Sequence, residues 1–94
     1  MDWMSVAGVI GVGMKSTSMG TPGDFNTPTE VGSWYYFGNK VQNSPDGSSI
    51  AYGRRAVLYS RGNDVFEFYY SFNNNKFYFR GYQFDSVWTE ISLV

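Results

Sequence analysis

Glu67, Asp85 and Glu90 are the carboxylates whose placement comes nearest to an acid–base pair. A glycoside hydrolase needs two carboxyl groups flanking one bond in a groove. Glu67 could pair with Glu90 or Asp85 only if their strands were neighbours. A charged pairing explains Glu67 more simply: on the solvent side of a strand it meets Arg55 or Arg80 across the sheet. The chain contains no histidine and no cysteine, so the commonest general base and the thiolate metal ligands are missing. Asp46-Gly47 and Asn63-Asp64 offer oxygen donors without the dense acidic series of a calcium loop; they read as ordinary turns. The chemistry expected is therefore non-enzymatic, with no metal and no cofactor.

Aromatic rings offer the other chemistry. Phe, Trp and Tyr make up 20% of the chain, more than a small core can hide. An exposed Tyr or Trp presents a flat apolar face with a polar tip. Sugar rings match that with an apolar C–H face and a hydroxyl rim. Alternation in residues 64–72 puts Phe66, Phe68, Tyr70 and Phe72 on one side and Val65, Glu67, Tyr69 and Ser71 on the other. The more apolar side is expected to face inward, with Phe66, Phe68, Phe72, Phe79 and Leu58 buried. Tyr69, Tyr78 and Arg80 then project outward and become the candidate saccharide contacts, joined by Asn43 and Asp46 from the loop 38–49. The same surface also suits a subunit interface, where Tyr, Trp and Arg are enriched.

The elements positioning these residues read as strands. At 94 residues the chain has room for one domain. Its eleven glycines and aromatic surplus favour an all-β fold with many turns. Strands are expected at 33–37, 54–60, 64–72, 76–80 and 87–93, forming an antiparallel meander or a sandwich-like knob with little or no helix. Asn73-Asn74-Asn75 closes a hairpin, since Asn tolerates left-handed geometry. Residues 1–20 form an arm or linker, and the knob domain runs from 21 to 94. The apolar run Val6 to Gly13 is too short for a membrane-spanning helix, and it has no basic residue before it as a signal peptide would. Seven basic against eight acidic residues leave no basic stripe for nucleic acid.

The element Asp24-Phe25-Asn26-Thr27, followed by Gly32, Trp34 and Tyr35, then by Tyr78-Phe79-Arg80 and Trp88, resembles the knob modules of phage tail fibres and R-type pyocin fibres. Ile91 stands where such modules have a second Trp, and can fill a core position there. In this pattern Asp24 and Asn26 cap turns through their side chains, and Gly32 takes a positive φ. The resemblance implies a receptor-binding module of a phage tail fibre, baseplate or tailocin. Its partner would be bacterial surface polysaccharide, its setting a homotrimeric fibre in the virion tail, and its purpose host adsorption. The alternative it implies is a spacer or trimerisation knob with no receptor contact.

Overall fold

Alternating aromatic and β-branched residues fold here into a single meandering sheet. The computed structural model describes residues 16–17 and 23–91. Most of the expected N-terminal arm, and the end of the last strand beyond Ile91, lie outside the described residues. The strands are β1 (Ser16–Thr17), β2 (Gly32–Lys40), β3 (Ile50–Arg61), β4 (Asp64–Ser71), β5 (Lys76–Arg80) and β6 (Thr89–Ile91). They lie side by side in sequence order. The pairs from β2 to β6 are antiparallel, while β1 runs parallel along the outer edge of β2. The fold is thus all-β, a meander in one sheet, with no helix among the described residues.

Turn chemistry sets the strand lengths. Asn75 takes φ 57° in the turn between β4 and β5, as Asn permits. Gly62 takes φ 60° in the β3–β4 turn. β2 runs on to Lys40 because a bulge between Phe37 and Asn39 absorbs Gly38 at φ 76°. Likewise β3 begins at Ile50, so the loop expected over 38–49 shrinks to residues 41–49.

The sheet has one covered side and one open side. On the covered side lie Trp34 and Tyr36 of β2, Arg55 and Val57 of β3, Val65, Glu67, Tyr69 and Ser71 of β4, and Tyr78 and Arg80 of β5, all buried. Two loops close over them, 23–31 carrying Phe25 and 81–88 carrying Phe84; both rings are fully buried. Phe25 stacks on Tyr36 at 5.0 Å and meets the edges of Tyr69 and Trp88.

The expected core is corrected by this arrangement. Phe66, Phe72 and Leu58 are exposed (43%, 44% and 38%), and Phe68 and Phe79 are half-buried. The alternation was read correctly, but the opposite side faces inward. The loops supply aromatic anchors and carbonyl acceptors to that side, which allows Arg and Glu to be buried there.

Candidate functional site

Three of the five expected ligand residues are interior. Arg80 is 1% exposed, Tyr69 1% and Tyr78 7%, so their outward projection is corrected. Glu67 is fully buried and holds two guanidinium groups. Arg55 donates from Nε to Oε1 at 2.6 Å, and Arg80 donates to Oε2 from Nε at 2.9 Å and Nη2 at 2.8 Å. The pairing expected of Glu67 therefore forms with both arginines, inside the domain rather than on a solvent face. With both oxygens engaged and no groove beside it, Glu67 forms no acid–base pair with Asp85 or Glu90. Glu90 instead meets Lys76 at the surface, 3.1 Å away.

The same arginines tie down the covering loops. The Phe25 carbonyl accepts from Nη2 of both Arg55 and Arg80. Arg80 also donates from Nη1 to Asn26 Oδ1 at 2.9 Å and to the Ser86 carbonyl at 3.1 Å. Its guanidinium lies 4.3 Å from the Trp88 ring, and that of Arg55 lies 4.8 Å from Phe25. Asp24 caps the turn as expected, accepting from the Asn26 amide at 2.9 Å. The Asn26 side chain does something else: it receives Arg80. The two separated motifs of the sequence thus meet in one buried polar cluster.

Asp46 and Asn43 organise their loop. Asp46 Oδ1 accepts from the Ser48 amide and the Ser44 hydroxyl, and Oδ2 accepts from Ser71 at 2.6 Å and Asn73 at 3.4 Å. Burial pushes its carboxyl up, but hydrogen bonds from Ser71, Ser48 and Ser44 outweigh that and hold it below the ordinary value. Asn43 sits at φ 56° and donates to Asp24 Oδ1 at 2.9 Å; this bond, with that from the Asn26 amide, lowers the Asp24 carboxyl. Asn43 also borders a shallow cleft of about 260 Å³ with Asn26, Ser44 and Trp88. Tyr69 lies with its hydroxyl against Gly53, without a hydrogen-bond partner among the described residues; burial pushes its phenol well up.

The open side of the sheet is where chemistry meets solvent. Cross-strand pairing puts Tyr35, Arg54, Tyr70 and Phe77 in one row over β2 to β5; Arg54 is exposed, the two tyrosines are half-buried and Phe77 is buried. Phe37 and Tyr52 pair in the neighbouring row, where the Phe72 amide bonds to the Tyr52 carbonyl. The rings form a continuous pavement. Tyr35 and Phe37 are nearly parallel, 9° apart with centroids at 6.3 Å. Phe72 meets the edges of Tyr35 and Tyr70 at 6.3 and 5.4 Å, and Phe37 meets Tyr52 at 5.5 Å. Arg54 is exposed and holds its guanidinium 5.4 Å from the Tyr35 centroid. The Tyr70 hydroxyl donates to Asn75 Oδ1. Phe37 is 72% exposed, and no described segment covers this pavement.

Reading the sequence allows Tyr35 an outward position but misses Arg54, Tyr70 and Phe72 on this side. One signal was available. Arg55, Glu67 and Arg80 occupy the same side of three adjacent strands, with Glu67 directly opposite Arg80. Complementary charges at facing positions, flanked by turns bearing Phe25 and Phe84, mark a buried ion cluster under loops. Comparison with protein-family models, with curated proteins and with solved structures returned no match.

Proposed function

We propose that this chain is a non-enzymatic module of a phage tail fibre, baseplate or tailocin that binds bacterial surface saccharide for host adsorption. The carrying observation is the uncovered aromatic pavement of Tyr35, Phe37, Tyr52, Tyr70 and Phe72 with Arg54 at its centre. Contiguous exposed apolar surface of this kind marks an interaction site. Pyranose rings stack on such faces, and Arg54 with the tyrosine hydroxyls supplies hydrogen bonds at the rim. A flat site binds weakly, so a homotrimeric fibre in the virion tail would multiply it through effective concentration. The resemblance of the sequence motifs to tail-fibre knobs suggests this setting, and the buried cluster joining those motifs holds the covering loops to the sheet.

Adsorption of the full chain to purified bacterial wall polysaccharides tests the reading, comparing wild type with Tyr35→Ala combined with Tyr70→Ala. Loss of adsorption with an unchanged circular dichroism spectrum is the expected result. Undiminished adsorption by the folded double variant would exclude this surface.

A second reading, the structural spacer, is favoured by the phenylalanines of the pavement. Phe37 and Phe72 lack any polar tip and are both exposed, as is Phe66 on the same side of the sheet; this suits a face covered by neighbouring subunits. Sedimentation separates the two. A stable oligomer that dissociates on Phe37→Ser supports the spacer; a saccharide-binding protein whose association state ignores Phe37→Ser supports the binder.

A further inference from the structure

We infer that the saccharide taken by the open face bears an anionic substituent, a carboxylate or a phosphate, seated against Arg54. This rests on the saccharide reading above and names its ligand class. The argument is the distribution of charge. The chain has a net charge of −1, yet its open face is positive. Arg54 stands in the middle of that face, paired in register with Tyr35 and Tyr70. Strand register puts Lys40 and Arg61 on the same side at the strand ends, with only Asp64 facing them, opposite Arg61.

Several carboxylates are committed elsewhere: Glu67 is interior with Arg55 and Arg80, Glu90 is paired with Lys76, Asp24 and Asp46 are held in loop hydrogen bonds, and Asp85 accepts from Asn63. Arg54 forms no ion pair among the described residues. Its guanidinium lies 5.4 Å from the Tyr35 ring centroid. A planar guanidinium with no ion-pair partner among the described residues offers a two-pronged donor matched to a carboxylate or phosphate. Neutral sugar hydroxyls use the stacking surface but leave this charge uncompensated. An anionic residue in the polymer engages both.

The test is affinity electrophoresis of the full chain in gels containing neutral dextran, carboxylate-bearing polygalacturonate or phosphate-bearing glycerol teichoic acid. Wild type should bind at least one anionic polymer about tenfold more tightly than dextran, in keeping with a charge-assisted hydrogen bond. Arg54→Gln should erase that preference, bringing retardation by the anionic polymers down to that variant's own retardation by dextran. Lys76→Gln removes the same formal charge from the Glu90 pair and should leave the preference intact. The polygalacturonate and teichoic acid arms tell carboxylate from phosphate. Equal binding to dextran and both anionic polymers overturns this inference and leaves the saccharide reading standing. No retardation in any gel overturns both. Equal loss with Arg54→Gln and Lys76→Gln also overturns it, because the effect would then follow net charge alone.

Discussion

Replacing Glu67 with Ala leaves the guanidiniums of Arg55 and Arg80, each 1% exposed, without a carboxylate between them. The variant removes three charge-assisted donations to Glu67. Breaking a buried ion pair from one side costs about 3–5 kcal/mol, because the remaining charge is uncompensated. Domains of this length are stable by roughly 5–14 kcal/mol, so Glu67→Ala takes a large share. The melting temperature should fall by roughly 12–40 °C, at about 4–8 °C per kcal/mol. Phe66→Ala is the matched comparison. A fully buried Phe costs about 3–5 kcal/mol on truncation; with Phe66 43% exposed, the loss should be about half, ~1.5–2.5 kcal/mol. Urea denaturation followed by tryptophan fluorescence measures both, since Trp34 is buried on the covered side and Trp88 packs against Phe25. Measurement at several protein concentrations separates a subunit contact at Phe66, whose contribution would scale with concentration. If Phe66→Ala destabilises a dilute sample as much as Glu67→Ala, the assignment of inner and outer sides is wrong.

Two further perturbations probe the support of the face. Gly53→Ala would bring its Cβ to 2.2 Å from the Tyr70 carbonyl oxygen and 2.6 Å from the Tyr69 hydroxyl. Backbone sits in the way, so a loss of about 3 kcal/mol or more is expected by thermal melting; a loss under ~1 kcal/mol would show that β3 and β4 do not approach so closely there. Asp46 has a folded pKa below its unfolded value. The stability it contributes is therefore present above the unfolded pKa, about 3.9, and is lost as pH falls through the folded value. Asp46→Asn should lower the melting temperature at pH 7 and flatten its dependence below about pH 4; an unchanged acid profile would refute the assignment.

The strand pattern was legible because side-chain alternation has a period of two and the turns have few solutions. The hairpin around Asn73–Asn75 follows from Asn at a left-handed position. The turn at Arg61-Gly62-Asn63 follows from glycine. Which side turns inward was not legible from alternation, which defines two sides without ranking them. Hydrophobicity ranked them wrongly: Phe66, Phe68, Tyr70 and Phe72 are more apolar than Val65, Glu67, Tyr69 and Ser71. The outcome is decided by residues in the loops outside the strands. Phe25 and Phe84 supply rings, and the Phe25 and Ser86 carbonyls supply acceptors. Residue-by-residue polarity cannot anticipate partners that lie 30 and 55 positions from the arginines they satisfy.

That inversion bears directly on function. A sheet that hides two arginines and a glutamate and leaves Phe37, Phe66 and Phe72 exposed forgoes apolar burial worth about 25 cal/mol per Å² on its open side. The buried cluster holds loops 23–31 and 81–88 onto the opposite side by charge and hydrogen bonding, leaving the aromatic pavement unused in the fold. Apolar surface withheld from the core is what the proposed ligand would use, and Arg54 within it is what would set that ligand's sign. The expected contacts Tyr69, Tyr78 and Arg80 therefore serve the site from behind: Arg80 locks the covering loops, and the Tyr69 ring packs over Gly53 in β3. In the proposed reading, contact with a ligand falls instead to Tyr35, Arg54 and Tyr70, on the other side of the same sheet.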